Sequence, residues 1–299
     1  MRYVLGIDAG GTKTVGLLAD GAGRVVAEAR GSGANLQVQG ELEVEKVFHG
    51  IIEVLEIDRP ISAVCLGIAG VDRPDDQELI HGILRRLGYR ERVKVVNDAV
   101  IALVAGAPER FGVVLLAGTG SIAYGQDRSG RSVRSGGYGF LLADEGSGYW
   151  LGHHALRAAV RATDGRGSAT PLRDLVFEAM GVESMDQLIP RVYEKGLAKH
   201  QVAALAGLVQ KAADQGDPVA ETLLEGASQE LVLAARAVAS GLSFGAEAFP
   251  VVLAGGVFKA CPSLARRIER RLELPNATTS LLGVEPAQGA VTLALDLLP

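Results

Sequence analysis

The chain has 299 residues, of which 48% are hydrophobic and 22% are charged, and its formal net charge is −5 at pH 7. This length predicts about two domains, and this composition is typical of an ordinary globular protein that buries a large core. The acidic balance disfavours a nucleic-acid partner, and the presence of only two cysteines excludes a disulfide framework.

The charged and apolar runs further limit the kinds of protein that this chain can be. The densest basic group has the spacing of a solvated helix face rather than of a nucleic-acid footprint, and it consists of Arg266, Arg267, Arg270 and Arg271. Cys65 and Cys261 lie in segments without zinc spacing, so we expect both to be reduced and structural. The first residues are typical of a strand rather than of a signal peptide, and no uninterrupted apolar run reaches roughly 18 residues. We therefore predict no membrane partner and a cytoplasmic location.

The first distinctive segment is GIDAGGTKT, residues 6–14, which follows an apolar β-type run. Its small residues leave space for a ligand to approach the backbone, which suggests phosphate. Gly11 and Lys13 come close to the P-loop pattern GxxxxGK[ST], but Thr12 intervenes, and residues 15–19 continue as a strand rather than as a helix. We therefore reject a P-loop.

An internal repeat relates two parts of the chain. Each copy is predicted to form an apolar strand, a Gly-Thr turn, a second strand, a DxxGR turn and a third strand, because Asp and Gly between β-type runs favour hairpins. Chance hardly explains so many matches at one offset, so we infer a duplication. A shift of 107 positions, without a gap, places Gly11 on Gly118, Thr12 on Thr119, Thr14 on Ser121, Asp20 on Asp127, Gly23 on Gly130, Arg24 on Arg131 and Val26 on Val133.

Alternating helices and strands follow the meander in the first copy. Apolar residues at helical spacing predict helices over 41–57 and about 75–87, and a buried strand over 62–70 lies between them. The segment VKVVNDA then predicts a strand that ends at Asn97 and Asp98, with a helix after it.

The second copy has the same order but is longer. VVLAGGV corresponds to CLGIAGV of the first copy, and Pro286 is suited to begin a last helix that corresponds to the one after Asp98. Residues from about 145 to 245 are predicted to be helical insertions on this duplicated frame. The sequence thus predicts an α/β fold of two lobes, each with a mixed sheet, around a central cleft. We place the N-terminal lobe at residues 1–111 and the C-terminal lobe at 112–299, with the last helix free to pack on the N-terminal lobe.

Both Gly-Thr turns carry the groups that hold phosphate. Their glycines can turn backbone N–H groups toward phosphate oxygens, and their threonine hydroxyls can donate hydrogen bonds, so together they would clamp a polyphosphate from both lobes. The predicted contacts are Gly10, Gly11, Thr12, Gly118, Thr119 and Gly120.

Three charged residues, Asp8 and Lys13 at the first turn and Asp98 at the end of a later strand, have alternative interpretations. Asp8 would repel phosphate, so we expect it to hold Mg²⁺, although it could instead accept turn hydrogen bonds. Lys13 could neutralise phosphate or could simply be exposed. Asp98 could accept a proton from an attacking hydroxyl, or it could cap the helix that follows, and Asn97 is an equally good cap.

The ordered set of motifs resembles the actin/sugar kinase/Hsp70 ATPase superfamily. GIDAGGTKT corresponds to its first phosphate loop, LLAGTGS (residues 115–121) to its second and VVLAGGVF (residues 251–258) to its adenosine loop. Within the superfamily, GAN, VVNDA and GGYGFLLADEGSGYWLG resemble the N-acetylglucosamine kinase group of the BadF/BadG/BcrA/BcrD-type ATPases. The chain lacks the CxCGxxGCxE zinc motif of the related ROK sugar kinases.

This resemblance implies a duplicated ribonuclease H-like fold and a kinase that uses ATP and Mg²⁺. It implies that Asp98 is the catalytic base, that Gly255 and Gly256 face adenosine, and that the sugar contacts Asn35, Asp98, Gly137, Tyr138, Gly139 and Asp144. The expected reaction transfers the γ-phosphate to the 6-hydroxyl of N-acetylglucosamine or a related hexose or hexosamine. The resemblance also suggests a homodimer.

Three alternatives stay open on the sequence alone. The first is a broad-specificity glucose and glucosamine hexokinase. The second is an ATPase that activates a redox partner through an iron–sulfur cluster, which would need cysteines beside the nucleotide cleft. The third is a sugar-sensing or actin-like assembly protein that binds ATP without transferring phosphate, although the presence of both Asp98 and Asp144 disfavours it.

Overall fold

The structure is a computed structural model that describes residues 2–56, 59–71, 73–194 and 196–299. Within these residues the strands form two sheets of five strands each. The first sheet has the order β3-β2-β1-β4-β5, with β1 at Tyr3–Ala9, β2 at Lys13–Asp20, β3 at Val25–Ser32, β4 at Ile61–Ile68 and β5 at Val93–Asn97. The second sheet has the order β10-β9-β6-β7-β8, with β6 at Gly112–Ala117, β7 at Ser121–Gln126, β8 at Ser132–Gly136, β9 at Phe249–Ala254 and β10 at Ala277–Leu281.

The two sheets have the same topology. In each, three antiparallel strands form a meander, and two further strands run parallel to the first strand of the meander. Parallel neighbours need a crossover, and helices supply it in both halves. The duplicated fold of two mixed sheets that the sequence predicts is therefore confirmed.

Helices connect and cover the sheets. In the first half they are α1 at Leu36–Gln39, α2 at Glu41–Glu56, α3 at Pro74–Arg86 and α4 at Asp98–Gly106. In the insertion they are α5 at Gly148–Thr163, α6 at Leu172–Met180, α7 at Met185–Tyr193, α8 at Lys199–Ala204, α9 at Ala206–Ala213 and α10 at Pro218–Ser240. The chain ends with α11 at Val257–Ala260, α12 at Pro262–Leu272 and α13 at Ala287–Leu295. Ile57, predicted to end α2, and Asp72, within the segment CLGIAGVDRP, lie outside the described residues.

The repeat extends to individual hydrogen bonds in the DxxGR turns. Oδ1 of Asp20 accepts from the backbone amides two and four residues further along the chain, at 3.0 and 3.1 Å. Oδ1 of Asp127 accepts from the equivalent amides at 2.9 and 3.2 Å. The turn glycines, Gly23 and Gly130, have φ values of 82° and 84°. The same side chain thus satisfies the same backbone donors in both copies.

The last helix of each half contacts more than its own sheet. Ala99 and Leu103 of α4 pack against Val114 and Val252 of the second sheet, although α4 follows the last strand of the first sheet. Conversely, α13 follows the second sheet but buries its apolar side chains against the first, in the cluster that includes Val4, Cys65 and Ile101. The boundary between the two lobes near residue 111 therefore stays a proposal.

Glycines allow α13 to approach its neighbours at backbone distance. A Cβ added at Gly6 of β1 would lie 2.3 Å from the backbone nitrogen of Val291, and one added at Gly289 would lie 2.0 Å from the carbonyl oxygen of Ile101. Neither neighbour is a side chain that could rotate away. The crossing of α13 over β1 and α4 therefore requires residues without a side chain at these two positions.

The insertion helices build the largest core, and they correct one prediction. Arg267 of α12 is not on a solvated face, because its side chain is only 13% exposed and packs against α10. Its guanidinium donates to Glu221 at 2.6 Å and to Glu225 at 3.2 Å. Across the described part of the chain, no helix combines the length and the apolarity needed to cross a bilayer.

We expect Gly289→Ala to lower the free energy of unfolding by about 1 to 3 kcal/mol, because the new methyl group would overlap the backbone of α4. Gly50→Ala is the matched control, since Gly50 is a helical glycine of α2 whose added Cβ would meet nothing within 4 Å. That control should raise stability by roughly 0.5 to 1 kcal/mol. Urea denaturation of both variants tests the packing, and equal stability gains would contradict the described crossing of α13 and α4.

Candidate active site

The two predicted phosphate loops face each other at the ends of β1 and β6. The Oγ1 atoms of Thr12 and Thr119, which the sequence repeat places 107 positions apart, lie 2.9 Å from each other. Thr12 is exposed, and Thr119 is half-buried. The structure therefore brings the two Gly-Thr turns together across the interface of the two halves, with a hydroxyl group from each turn at the contact.

The glycines of these loops fall into two groups. A Cβ added at three of them would meet no atom within 4 Å, so the backbone there borders open space: Gly11, Gly118 and Gly256. The other three have packing reasons to be small. An added Cβ would lie 3.3 Å from a carbonyl oxygen at Gly10, 2.7 Å from the Asp144 carboxylate at Gly120 and 2.2 Å from the Ala117 carbonyl at Gly255. The open group is the one that suits close approach by a ligand.

Asp8 lies on β1, directly behind the first loop, and is largely removed from solvent. Burial raises the pKa of its carboxyl group to about 6, the Lys13 ammonium lowers that pKa, and the Glu285 carboxylate raises it. Lys13, which the sequence proposes as a phosphate ligand, forms an ion pair with Glu285 at 3.1 Å. Glu285 also accepts from Arg30 at 3.1 Å. These two cations lower the pKa of Glu285 although its partial burial acts in the opposite direction.

The environment of Asp8 fits Mg²⁺ better than a transition metal. Among the described residues, no group of three or more His, Cys, Asp and Glu side chains could hold an ion. Mg²⁺ commonly takes one or two carboxylates and completes its coordination with water and phosphate oxygens. A single carboxylate, largely removed from solvent and next to an open glycine-rich turn, provides such a donor set.

Asn97 and Asp98 stand at different positions of α4. Asn97 is the N-cap of α4, and its side chain accepts from the Ala99 amide at 2.9 Å. Asp98 is the first residue of the helix, and its Oδ1 lies 3.0 Å from the same amide. Because Asn97 already caps the helix, the half-buried Asp98 carboxylate is not needed for capping.

The segment that contains Asn35 contacts the backbone of the first phosphate loop. The Ala34 amide donates to the Gly10 carbonyl at 3.0 Å. A Cβ added at Gly33 would lie 2.4 Å from the Gly11 carbonyl oxygen, so the GAN segment lies directly on the loop. Asn35 then starts α1, because its carbonyl accepts from the Gln39 amide at 3.0 Å.

Asp144 holds the second phosphate loop in place. The residue is only 4% exposed, and its Oδ1 accepts from the Ser121 amide at 3.0 Å. Its Oδ2 forms an ion pair with Lys199 of α8 at 2.8 Å. Both carboxylate oxygens are thus engaged within the protein. This geometry favours a positioning role for Asp144 over the sugar contact that the family resemblance implies.

The first residues of α5 donate backbone hydrogen bonds to the same loop. Ser147 caps this helix by accepting from the Trp150 amide at 3.1 Å. The Gly148 amide donates to the Gly118 carbonyl at 2.8 Å, and the Tyr149 amide donates to the Thr119 carbonyl at 3.2 Å. The second loop is therefore fixed from one side by a carboxylate and from the other by a helix N-terminus.

The GGYG segment leaves the end of β8 in a left-handed backbone conformation, which glycine adopts without strain. Gly137 and Gly139 have φ values of 76° and 86°, and an added Cβ at Gly139 would meet nothing within 4 Å. Tyr138 between them is 56% exposed, and the guanidinium of Arg134 lies 4.8 Å from the centre of its ring.

Comparisons with known proteins identify the family to which the chain belongs. The model of the BadF/BadG/BcrA/BcrD ATPase family matches residues 5–294. The chain belongs to this family. It is 35% identical to an N-acetylmuramic acid/N-acetylglucosamine kinase of Clostridium acetobutylicum and 32% identical to an N-acetyl-D-glucosamine kinase of Dictyostelium discoideum. The first match covers 98% of each chain, and the second covers 98% of this chain and 97% of the relative.

A solved structure agrees with the family assignment. The crystal structure of a candidate N-acetylglucosamine kinase from Chromobacterium violaceum matches with a TM-score of 0.79 and 28% identity. The match covers 98% of this chain and 99% of the other. This BadF/BadG/BcrA/BcrD family member therefore shares its two-lobe architecture with that structure over nearly its full length. The prediction of the family from sequence motifs is confirmed.

The cysteines of this family member do not fit an iron–sulfur cluster. Cys65 and Cys261 are both fully buried, and they belong to different apolar clusters. Burial raises the pKa of each thiol to about 12, so neither is available as a thiolate near neutral pH. The expectation that both are reduced and structural agrees with this placement.

Three residues at the candidate site were not predicted from the sequence. Glu285 stands in the segment EPAQGAV, which the resemblance marks, but nothing in that segment shows that it pairs with Lys13. Lys199 and Arg134 stand in no recognisable motif. Only the fold brings them to Asp144 and Tyr138.

We expect the buried carboxyl group of Asp8 to make stability depend on pH. Between its usual pKa of 3.8 and its folded value of about 6, the folded protein retains a proton that the unfolded chain has released. The free energy of unfolding should therefore fall as pH rises through this window, by about 3 kcal/mol in total for this group. Asp8→Asn should remove this loss. The ligand-free variant should be more stable than the wild type above pH 6, and its advantage should disappear near pH 4.

Urea denaturation at pH 4, 5, 6 and 7.5 without Mg²⁺ or nucleotide measures this difference. Asp186→Asn is the control, because Asp186 is an exposed aspartate of α7. A pH-independent difference between Asp8→Asn and the wild type would contradict the raised pKa of Asp8.

We expect Lys199→Met to lower the free energy of unfolding by about 1 to 3 kcal/mol, because it leaves the buried Asp144 carboxylate without its cation. Lys211→Met is the control, since Lys211 is exposed on α9, and it should change stability by less than about 0.5 kcal/mol. The double variant Asp144→Asn/Lys199→Met should lose less than the two single losses added together. Additive losses in this double-mutant cycle would show that the two side chains do not interact.

Proposed function

We propose that the chain is an ATP-dependent kinase that transfers the γ-phosphate of ATP to the 6-hydroxyl of N-acetylglucosamine or a closely related amino sugar. The observation that carries the proposal is the 2.9 Å contact between Thr12 and Thr119, which brings two phosphate-type loops together between the two sheets. Two full-length relatives, at 35% and 32% identity, are named for kinases of N-acetylated amino sugars, and one name includes N-acetylmuramic acid.

The two loops would bind the polyphosphate of ATP. Open backbone at Gly11 and Gly118 leaves room for phosphate oxygens, and the two threonine hydroxyls supply donors from either side. Phosphoryl transfer depends mainly on such positioning and charge neutralisation rather than on covalent chemistry by the protein. Gly256 borders open space at the end of β9, which supports the proposed place for adenosine. Lys13 would approach phosphate only after leaving Glu285.

Asp8 would hold Mg²⁺, which supplies positive charge next to the phosphates when it is bound. Burial raises the pKa of the Asp8 carboxyl group to about 6, because a buried carboxylate loses its contact with water. A bound cation would stabilise the ionised carboxylate and so offset this loss. Lys13 and Glu285 stand close enough to Asp8 to influence that pKa in opposite directions.

Asp98 would act as the catalytic base. Its carboxylate stands at the first residue of α4, where β5 ends, and could accept the proton of the attacking sugar hydroxyl. Asn35 and the Gly137 to Gly139 backbone are proposed to bind the other hydroxyl groups, since both segments border the phosphate loops or the cleft edge. Asp144 is proposed to serve the sugar indirectly, by fixing the second loop. A homodimer is a proposal that depends on the family resemblance, and a cytoplasmic location is a proposal that depends on the apolar pattern of the sequence.

A coupled assay for ADP release tests the function. We expect release to depend on an added amino sugar and on Mg²⁺, and a panel of N-acetylglucosamine, glucosamine and glucose separates a specific kinase from a broad hexokinase. ADP release that does not depend on any sugar would instead indicate an ATPase without transfer.

We expect Asp98→Asn to lower kcat by about 10² to 10⁴, because the variant retains the shape of the side chain but cannot accept the proton. Isothermal titration should still show sugar and nucleotide binding. Asp186→Asn is the matched control, since Asp186 is also an aspartate in the first turn of a helix but is exposed on α7, and it should retain normal turnover. Turnover within about threefold of wild type in Asp98→Asn would remove Asp98 as the base.

A further inference from the structure

An ion-pair network joins the first phosphate loop to the start of α13. Glu285 stands two residues before α13. Its Oε2 accepts from the Lys13 ammonium at 3.1 Å, and its Oε1 accepts from the Arg30 guanidinium at 3.1 Å. Arg30 also donates to Glu28 at 2.5 Å. Because Lys13 and Glu285 are 272 positions apart, only the crossing of α13 over the first sheet brings them together.

The strand register places these cations on the same face of the first sheet as Asp8. Asp8 of β1 pairs with Val15 of β2, and Val15 pairs with Arg30 of β3, so the three residues share a face. Lys13 is two residues before Val15 in the same strand, so it lies on this face as well. Val15 packs in the cluster that contains the apolar residues of α13. The charged groups therefore lie on the face of the sheet that α13 covers.

Lys13 belongs to the first phosphate loop itself. Its carbonyl oxygen accepts from the Gly10 amide at 3.0 Å and so closes the turn, and Thr12 directly precedes it. The Lys13 side chain is 52% exposed while it is paired, and its flexible four-carbon stem lets the ammonium move without the backbone. A phosphate group in the open space at Gly11 would therefore compete with Glu285 for the same ammonium.

Arg30 leaves Glu285 with a cation when Lys13 moves. The Glu285 side chain is only 27% exposed, and a carboxylate that is partly shielded from water is costly to leave unpaired. Arg30 contacts the other carboxylate oxygen from the one that is closest to Lys13. Asp8 is near enough for the charge of Glu285 to raise the pKa of the Asp8 carboxyl group. The charge balance of Glu285 is thus coupled to the place proposed for the phosphates and Mg²⁺.

We propose that Glu285 and Arg30 are positioning residues that set the affinity for nucleotide: Glu285 holds Lys13 away from phosphate in the free enzyme, and Arg30 lowers the cost of releasing it. This inference rests on the proposed kinase function. Binding of a nucleoside diphosphate or triphosphate then requires the Lys13 ammonium to exchange one anionic partner for another. The exchange subtracts the energy of the ion pair from the binding energy. ADP is therefore bound less tightly and leaves sooner as product.

The test measures ADP binding to the full-length protein by isothermal titration with Mg²⁺ present. Glu285→Gln retains the shape of the side chain but removes its charge, so it should bind ADP about twofold to fivefold more tightly, the range for a partly exposed ion pair. Arg30→Met should have the opposite effect, a weakening of about twofold to fivefold, because Glu285 then depends on Lys13 alone. Arg30→Lys retains the charge but not the fork, so its weakening should be smaller.

Double variants separate an exchange of partners from a general effect of charge. In the Lys13→Met protein, Glu285→Gln should change the affinity for ADP by less than about 1.5-fold, because there is no ammonium to release. In the Glu285→Gln protein, Arg30→Met should have as small an effect. Glu78→Gln is the matched control, since Glu78 is an exposed glutamate that pairs with Arg85 within α3. It should bind ADP as the wild type does.

The outcomes are distinguishable. ADP binding to the wild type, with unchanged or weaker binding to Glu285→Gln, would overturn this inference and leave the proposed function standing. Tighter binding to Glu285→Gln that is undiminished in the Lys13→Met protein would show that the charge acts without Lys13, which also overturns the inference. No ADP binding by the wild type would overturn the proposed function and this inference with it. If Glu285→Gln fails to fold, Arg30→Met tests the same network from its other side, and binding as tight as that of the wild type would overturn the inference.

Discussion

The contact between α13 and its two neighbours, β1 and α4, fixes the geometry of the candidate site. At Gly6 and Gly289 the backbones approach so closely that an added Cβ would overlap another backbone. The helix α4 begins with Asp98, and the segment that leads into α13 carries Glu285, which pairs with Lys13 of the first loop. A change of the helix crossing would therefore move the candidate base and the partner of the first phosphate loop at the same time. Because close-packed backbones adjust little, this contact limits movement of the two ends of the site relative to each other.

The two phosphate loops come from one ancestral unit but are supported in different ways. The DxxGR turns retain the same hydrogen bonds in both copies, at Asp20 and at Asp127. The first loop is surrounded by charged groups from its own strand and from Glu285. The second loop is held by Asp144 and by the start of α5, both of which belong to the region inserted after the repeat. The duplication thus supplied the symmetrical clamp, and the insertion made one side of it rigid.

Much of the fold follows from the sequence because its signals are local or repeated. Glycine-ended strands, DxxGR turns and helical spacing of apolar residues predict the sequence of strands and helices in both halves, and the constant offset predicts that Thr12 and Thr119 are equivalent. The contacts of Lys199 and Arg267 could not be predicted in this way. Lys199 reaches Asp144 across 55 positions of insertion, and Arg267 is buried only because α12 lies on α10. A charged residue on a helix is predicted to be exposed unless the helix that packs against it is known. For the same reason a motif aspartate such as Asp144 can bind the backbone of a loop instead of a ligand.

The packing of α4 and α13 makes each half depend on the other. Ala99 and Leu103 of α4 pack against the second sheet, and α13 covers a face of the first. A single ancestral half, expressed alone, would have lacked the helix that buries one face of its own sheet and would have exposed a broad apolar surface to water. In the duplicated chain α13 covers this face, and α4 packs against both sheets. One polypeptide thus buries an apolar surface that a single half would expose.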